Sequence, residues 1–163
     1  FYKSDSDLPG FLDYGMEGRT YRYFKGEALY PFGHGLSYST YTYSNLQLSK
    51  TVATKKSLKV SVTVKNTGKR DGDEVVQLYV SHQDSKSKAP VRALKGFKRI
   101  SLKAGESKVI TFTLTPEELS LVNESTGAMF QPKGKLQISV GGGQPGVKNK
   151  TTSNVLSSVT HIL

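Results

Sequence analysis

Apolar and polar residues alternate along most of the chain after Tyr43. The clearest run is 58–65, where every second residue is apolar and the residues between are lysine, serine or threonine. A period of two is typical of a β-strand that has one face in a core and the other in water. The same pattern predicts a first strand at Tyr43–Leu48 and further inward rows at Val76, Leu78 and Val80, at Ile110, Phe112 and Leu114, and at Leu136, Ile138 and Val140.

Two further stretches are less regular. Leu94–Ile100 is predicted to be a strand with Phe97 facing inward, and Val155–Ile162 is predicted to close the chain with an ambiguous parity that admits a bulge. Between the strands, Thr115–Leu119 predicts a single helical turn, with Thr115 as N-cap and Glu118 completing a capping box. About seven short strands without a long helix predict an all-β, immunoglobulin-like β-sandwich.

The first forty residues lack this alternation. The stretch 18–38 holds six Tyr or Phe rings and His34, interrupted by four glycines and Pro31. Glycine and proline disfavour a helix here, and so many aromatic side chains are costly to leave in water. We therefore expect an ordered, irregular segment that joins one domain to another, with Leu29, Phe32 and Leu36 folding back onto the sandwich.

Two motifs in this segment, GRTYRYF and LYPFGHGLSY, resemble the junction that precedes the last domain of glycoside hydrolase family 3, the β-glucosidases and β-xylosidases. The later stretches LKVSVTVKNTGKRDGDEVVQLYV and LKGFKRISLKAGESKVITFTL resemble that family's C-terminal fibronectin type III-like domain. The resemblance implies an extension at 1–42, leaving an upstream α/β domain, and a fibronectin type III-like sandwich at 43–163. It also implies a fragment of an exported enzyme, periplasmic or extracellular, that hydrolyses terminal β-linked glucose or xylose with retention.

In that family both catalytic carboxyl groups lie upstream of this junction, so the resemblance transfers no catalytic residue to this chain. We predict instead a non-catalytic accessory domain whose partner is the upstream catalytic part of the same polypeptide, and a homo-oligomer is left open. The predicted interdomain contacts are aromatic or basic residues of the junction: Arg19, Tyr21, Arg22, Tyr23, Phe24, Tyr30, Phe32 and His34.

The net charge of +10 is unevenly distributed over the 163 residues. Residues 1–43 carry four Lys or Arg and five Asp or Glu, whereas residues 44–163 carry nineteen and eight. A basic sandwich suggests an alternative, an independent module that binds polysaccharide or another polyanion. The lysines are scattered and no base-stacking motif accompanies them, so we predict no specific nucleic-acid partner. No apolar run is long enough to span a membrane, no signal peptide is expected, and there is no cysteine.

Candidate chemistry is sparse. The carboxylates Asp71, Asp73 and Glu74, and the pair Glu117 and Glu118, are interpreted as solvated turn residues, because turn residues and lysines flank them. Residues 71–74 resemble part of a calcium loop, but the later bidentate glutamate is missing. Contact with substrate in a parent enzyme stays open for the loop that contains Asp5, Asp7 and Asp13. The histidines lie far apart in sequence, so we predict no metal and no cofactor. The histidines are His34, His82 and His161, and glycosylation triplets begin at Asn123 and Asn149.

Overall fold

A computed structural model describes residue 2 and residues 4–85, 89–146 and 153–163 of the chain. Its helical segments are short: a 3-10 turn at Asp5–Asp7 and a four-residue helix α1 at Thr20–Tyr23. The remaining elements are ten strands: β1 Tyr41–Leu48, β2 Thr51–Val52, β3 Leu58–Asn66, β4 Gly72–His82, β5 Ala93–Leu102, β6 Ser107–Leu114, β7 Leu121–Val122, β8 Met129–Phe130, β9 Gly134–Gly141 and β10 Val155–Ile162.

The strands form two facing sheets, which confirms the predicted β-sandwich. The first sheet has the order β1-β3-β6, and the second has the order β2-β10-β9-β4-β5. All pairings in these two sheets are antiparallel except β2 with β10, which is parallel. Strands β7 and β8 form a separate two-stranded ladder. Seven of the strands have eight or more residues. Their number agrees with the seven or so strands that the alternation predicted.

The core lies between the two sheets and consists of the predicted inward rows. Val60, Val64, Leu78 and Val140 are each completely buried. Their partners in the cluster come from both sheets and, for Leu119, from the turn after β6: Tyr41, Tyr43, Val52, Leu58, Val62, Val76, Val80, Ile100, Leu102, Ile110, Phe112, Leu114, Leu119, Leu136, Ile138 and Ile162. Burying a large apolar side chain stabilises a fold by about 1.5–3 kcal/mol, so the sandwich has a complete interior of its own.

The prediction that Phe97 faces inward is wrong. Its side chain is 67% exposed, because the parity of β5 is set by Ile100 and Leu102, which both enter the core. The pairing of β4 with β5 shifts its register between Leu78 and Tyr79, just before Phe97 along β5. Gly96 instead faces the interior, where a Cβ would lie 3.0 Å from Phe112 Cδ1.

Local predictions were met unevenly. The Thr115 capping box is confirmed: the Thr115 backbone N–H donates to Glu118 Oε2 at 2.6 Å, and the Glu118 backbone N–H donates to Thr115 Oγ1 at 3.3 Å. Strand β1 begins at Tyr41, two residues earlier than predicted. The register between β10 and β9 is continuous, so the bulge considered for β10 is absent there, and a register shift occurs in β1, where Asn45 has a φ of 53°.

One polar side chain at the end of β3 is fully enclosed. Asn66 is 0% exposed, and its amide oxygen accepts from Ser39 Oγ–H and from the Gly68 backbone N–H, both at 2.9 Å. Its amide nitrogen donates to the carbonyl oxygens of Arg70 at 2.8 Å and Leu102 at 3.1 Å. Asn66 therefore joins the start of the sandwich, the β3–β4 turn and the end of β5, with both of its polar atoms satisfied.

Candidate interdomain surface

The aromatic junction, residues 18–38, folds onto the outer face of the five-stranded sheet. The ring of Tyr21 stacks on Phe32, with centroids 4.4 Å apart and planes at 22°, and meets Tyr79 of β4 edge to face at 6.3 Å. The Leu94 backbone N–H donates to the Tyr21 hydroxyl at 3.4 Å. Tyr79 is 0% exposed although it points away from the core. The junction therefore covers part of the sheet that would otherwise face water.

Two buried glutamines complete this contact. The Phe32 backbone N–H donates to Gln144 Oε1 at 3.1 Å, and Gln77 Nε2 donates to the Gly142 carbonyl at 3.2 Å. Gln77 Oε1 accepts the Tyr79 hydroxyl proton at 2.5 Å, which fixes the amide. The bond from Phe32 to Gln144 therefore holds the junction to the sandwich in addition to the ring contacts.

Gly33 lies directly above Gln77. It has a φ of 81°, and a Cβ at this position would lie 2.6 Å from Gln77 Nε2. Gln77 has little room to move, because its amide makes two hydrogen bonds and is buried. Only glycine adopts this backbone conformation without strain.

We expect Gly33→Ala to weaken docking of the junction by about 1–2 kcal/mol, through backbone strain and displacement of Gln77. Exchange of the Phe32 amide proton should become about 5- to 30-fold faster, measured by hydrogen exchange and NMR. Gly35→Ala is the matched control, since nothing lies within 4 Å of a Cβ there. Equal exchange rates in both variants would contradict the docking described above.

Two stretches of the extension carry large apolar side chains that are strongly exposed, residues 11–14 and residues 36–38. Phe11, Leu12 and Tyr14 are 94%, 80% and 84% exposed, and Leu36 and Tyr38 are 86% and 93% exposed. We call these five residues the exposed apolar face. Large apolar side chains exposed to this degree on a soluble domain are candidates for contact with another surface. Four more partly exposed side chains accompany them: Leu8, Met16, Leu29 and Tyr30.

The predicted interdomain residues divide into two groups. Tyr21 and Phe32 contact the sandwich, and Phe24 is buried with its ring edge-on to Tyr2 at 5.1 Å. The more outward group comprises five residues: half-buried Arg19 and Tyr23, and exposed Arg22, Tyr30 and His34. Of the side chains predicted to fold back, Phe32 stacks on Tyr21 and stays 42% exposed. Leu29 and Leu36 are 52% and 86% exposed, and for these two the prediction is wrong.

Sequence reasoning missed the strongest candidates, Phe11, Leu12 and Tyr14. They lie in a loop rich in Gly, Pro and Asp, so turn-forming residues dominated its interpretation. The available signal was three large apolar residues within four positions of a segment that lacks strand or helix periodicity. The Arg19 guanidinium donates to the Asp13 carbonyl and so ties this loop to α1.

The three clustered carboxylates of the β3–β4 region do not form a catalytic pair. Asp71 Oδ1 accepts from the Ala104 backbone N–H at 2.8 Å. Asp73 accepts from Ser101 Oγ at 2.5 Å and from Arg99 Nε at 2.8 Å, and these partners hold the pKa of Asp73 below its ordinary value. Asp73 and Glu74 are consecutive strand residues, so their side chains point to opposite faces of β4.

Glu74 is not a solvated turn residue, which corrects the sequence interpretation. Strand β4 already begins at Gly72, so Glu74 points into the sandwich and is 7% exposed. The Tyr43 hydroxyl donates to Glu74 Oε1 at 2.7 Å. Burial raises the pKa of Glu74, opposed by hydrogen bonds from Tyr43 and Ser153. Burial and the Glu74 carboxylate also raise the pKa of Tyr43.

This burial predicts a pH dependence of stability. Because the folded pKa of Glu74 is above its unfolded value of about 4.3, its contribution to stability is fully present below that pH. The contribution is lost as the pH rises through the folded pKa, at most by about 1.4 kcal/mol per pH unit. Urea unfolding of Glu74→Gln across this range should show a flatter fall with pH than the wild type. Asp73→Asn is the control. The pKa of Asp73 is lowered in the fold, so its contribution to stability is lost as the pH falls and not as it rises.

The remaining candidates are separate from one another. His34 is exposed beside Tyr30 with ring centroids 5.0 Å apart, His82 is half-buried at the end of β4, and His161 is exposed on β10. The described residues contain no group of three His, Cys, Asp or Glu that could hold a metal ion.

Asp5 and Asp7 lie in the exposed 3-10 turn. Asn123 Oδ1 accepts from the Ser125 and Thr126 backbone N–H groups, whereas Asn149 lies outside the described residues. No helix of the described part is long and apolar enough to cross a membrane.

The sandwich matches a known domain family. Residues 74–144 match the fibronectin type III-like domain, over strands β4 to β9 and the turn that follows. The chain contains a fibronectin type III-like domain. This is the domain type that the resemblance to glycoside hydrolase family 3 implied. The chain's relatives are β-glucosidases and β-xylosidases.

The relatives are several times longer than this chain. A xylan 1,4-β-xylosidase of Xylanibacter ruminicola is 40% identical over 142 residues, which are 86% of this chain and 16% of that protein. The thermostable β-glucosidase B of Acetivibrio thermocellus is 39% identical over 143 residues, 85% of this chain and 19% of that protein. The crystal structure of a Listeria innocua β-glucosidase in complex with glucose superposes with a TM-score of 0.73 and 33% identity, covering 82% of this chain and 17% of that chain.

Proposed function

We propose that this chain is the non-catalytic accessory domain of a larger β-glycosidase, which it stabilises by contact with the catalytic part of the same polypeptide. The observation that carries the proposal is the exposed apolar face. The sandwich core is complete without the residues of this face, yet five large side chains of the extension are between 80% and 94% exposed. Exposure of that kind is costly unless another surface covers it.

The occupant of this face is inferred from the length of the relatives. The chain spans 16–20% of the β-xylosidases of Xylanibacter ruminicola and Formosa agariphila and of the Acetivibrio thermocellus β-glucosidase B. Most of each relative is therefore left to form a neighbouring surface. By analogy with them, the parent enzyme hydrolyses terminal β-linked glucose or xylose. Retention in such chemistry needs a pair of carboxyl groups about 5 Å apart on either side of the scissile bond. Asp73 and Glu74 cannot supply that pair, because one is bound to Arg99 and Ser101 and the other is enclosed in the core.

The basic residues of the junction have a defined role in this proposal. Arg19 Nε is buried and has no acceptor among the described residues, and Arg22 is exposed with its guanidinium 5.7 Å from the Tyr23 ring centroid. A buried N–H without an acceptor destabilises a fold. Arg19 positions the loop of residues 11–14 through its bond to the Asp13 carbonyl, and the exposed side chains of Tyr30 and His34 are further contacts to the neighbouring domain.

The isolated chain is expected to show no turnover of aryl β-glucosides or aryl β-xylosides. Grafted in place of the matching region of the Acetivibrio thermocellus relative, it should restore activity that the truncated relative lacks. The assay compares three proteins: the isolated chain, the truncated relative and the chimera. Turnover by the isolated chain that disappears in Asp73→Asn or Glu74→Gln would overturn the accessory role.

A second copy of the chain is the other occupant that the exposed apolar face could take, as a homo-oligomer. Sedimentation velocity of the isolated chain over a hundredfold range of concentration separates the two occupants. A monomer throughout supports the neighbouring domain. A stable dimer that dissociates in Tyr14→Ser or Tyr38→Ser would assign the face to self-association.

A further inference from the structure

A cavity outside the junction's contact with the sheet has no role so far. It has a volume of about 280 Å³ and lies between α1, the end of β4, the start of β5 and the β7–β8 ladder. Its apolar lining includes Val80, Ala93 and Leu121, and the ring of Tyr23 forms part of one wall. Sites for drug-sized ligands begin at about 300 Å³, so this cavity holds roughly one six-membered ring.

The polar lining is dominated by positive charge. Arg22, His82, Lys95 and Glu124 contribute to the cavity. Burial and the neighbouring Lys95 lower the pKa of His82 to about 4, so the imidazole is neutral at physiological pH. Glu124 is the one carboxylate among these lining residues and offsets one of the two cations. Arg22 and Lys95 therefore leave a net positive charge at an apolar cavity.

Lys95 is the less compensated of the two cations. It is half-buried, and no carboxylate of the described residues lies within ion-pair distance of its ammonium group. Glu117 and Glu118 act on it only at longer range, and Glu118 is engaged in the cap of Thr115. Burial and Arg22 lower the pKa of Lys95, which shows that its charge is poorly solvated in the fold. An anion in the cavity would relieve that cost.

The second cation, Arg22, lies on α1. The Arg92 backbone N–H donates to the Arg22 carbonyl at 3.4 Å, which joins α1 to the segment before β5. The Arg22 guanidinium lies over the Tyr23 ring, 5.7 Å from the centroid. A planar guanidinium presents paired N–H donors that match a carboxylate. The cavity thus combines a forked donor, an ammonium group, an aromatic wall and an aliphatic floor.

We propose that this cavity binds a small monocarboxylate carried on a six-membered ring. The aliphatic floor and the ring of Tyr23 contact the face of the ligand ring, and Arg22 and Lys95 bind the carboxylate. Inorganic phosphate or sulfate fits less well, because Val80, Ala93 and Leu121 would leave part of such an ion without polar partners. The ring is either aromatic or a uronic-acid pyranose, since both carry one carboxylate on a ring of this size.

NMR titration of the 163-residue chain with four probes tests the proposal. Benzoate and glucuronate supply ring and carboxylate, glucose supplies the ring alone, and acetate supplies the carboxylate alone. We expect benzoate, glucuronate or both to shift the resonances of Ala93, Lys95 and Leu121 with a Kd of about 1–10 mM. Glucose and acetate should bind at least about tenfold more weakly. The tighter of the two ring carboxylates identifies the aromatic or the sugar ligand.

Variants separate the site from general attraction to a basic protein. Lys95→Met keeps the length of the side chain and should weaken binding about tenfold, as loss of a charge-assisted hydrogen bond predicts. Arg22→Gln, on the exposed side of α1, should do the same if Lys95→Met does not fold. Lys59→Met, an exposed lysine of β3, is the matched control and should leave the Kd unchanged. Equal binding of acetate and benzoate, or equal weakening in Lys59→Met and Lys95→Met, would overturn the proposal.

Discussion

Serine at all five positions of the exposed apolar face is expected to leave the isolated chain folded and to inactivate the chimera thermally. Phe11, Leu12, Tyr14, Leu36 and Tyr38 are at least 80% exposed, and substitutions at such positions change the stability of a domain by only about 0.5 kcal/mol each. In the proposed arrangement, the same side chains of the chimera lie against the catalytic part. There, each large apolar side chain contributes up to about 1.5–3 kcal/mol when fully buried.

The measurement is a pair of thermal unfolding curves, one for the isolated chain and one for the chimera, with residual β-glucosidase activity after heating. Even about 3 kcal/mol lost at the domain contact should lower the midpoint for the chimera by several degrees. The control replaces Phe97, Val109 and Val122 by serine, because these exposed apolar residues lie on the sandwich instead of the extension. A similar loss in that control would mean that the face has no special partner.

Asn66→Ala is expected to destabilise the sandwich by about 3–5 kcal/mol. Four hydrogen bonds of one buried amide would be lost, and their partners at Ser39, Gly68, Arg70 and Leu102 would remain partly enclosed. A buried donor or acceptor left without a partner costs about 1–3 kcal/mol, and the interior offers little water to replace it.

Urea unfolding followed by circular dichroism measures this difference. Asn123→Ala is the matched control, because Asn123 also accepts two backbone hydrogen bonds but is exposed to water. We expect less than about 1 kcal/mol for that change. A loss of the same size at both positions would show that enclosure of the Asn66 amide does not determine its contribution.

The inward rows of the sandwich were predictable because alternation along a strand is a local property. Leu58–Val64 and Leu136–Val140 needed only the spacing of their apolar residues. Phe97 was assigned to the wrong face because parity in β5 follows Ile100 and Leu102, after a register shift that no single residue marks. Glu74 was misplaced because the turn before it is shorter than its composition suggests, and β4 starts at Gly72.

The candidate site depended on tertiary contacts that a local pattern does not contain. Gln77 and Tyr79 occupy outward positions of β4, and they are buried only because a distant segment lies over them. The same packing decides which aromatic rings of the extension remain available for a partner. Composition identified the junction as a contact segment, but Tyr21 and Phe32 face the sandwich, whereas Phe11 and Tyr14 are exposed.

The docking of Tyr21 on Tyr79, with Phe32 stacked on Tyr21, changes where this module can be cut and transplanted. A boundary drawn at the first strand, Tyr41, would strip the cover from an interior-like patch that includes Tyr79 and Gln77. The segment that recombination or protein engineering can move between enzymes as an intact piece therefore starts near Gly18. Ring contacts and the bond from Phe32 to Gln144 also hold residues 21–33 against the sheet. A graft that keeps this docking therefore moves residues 18–38 and the sandwich as one folded unit.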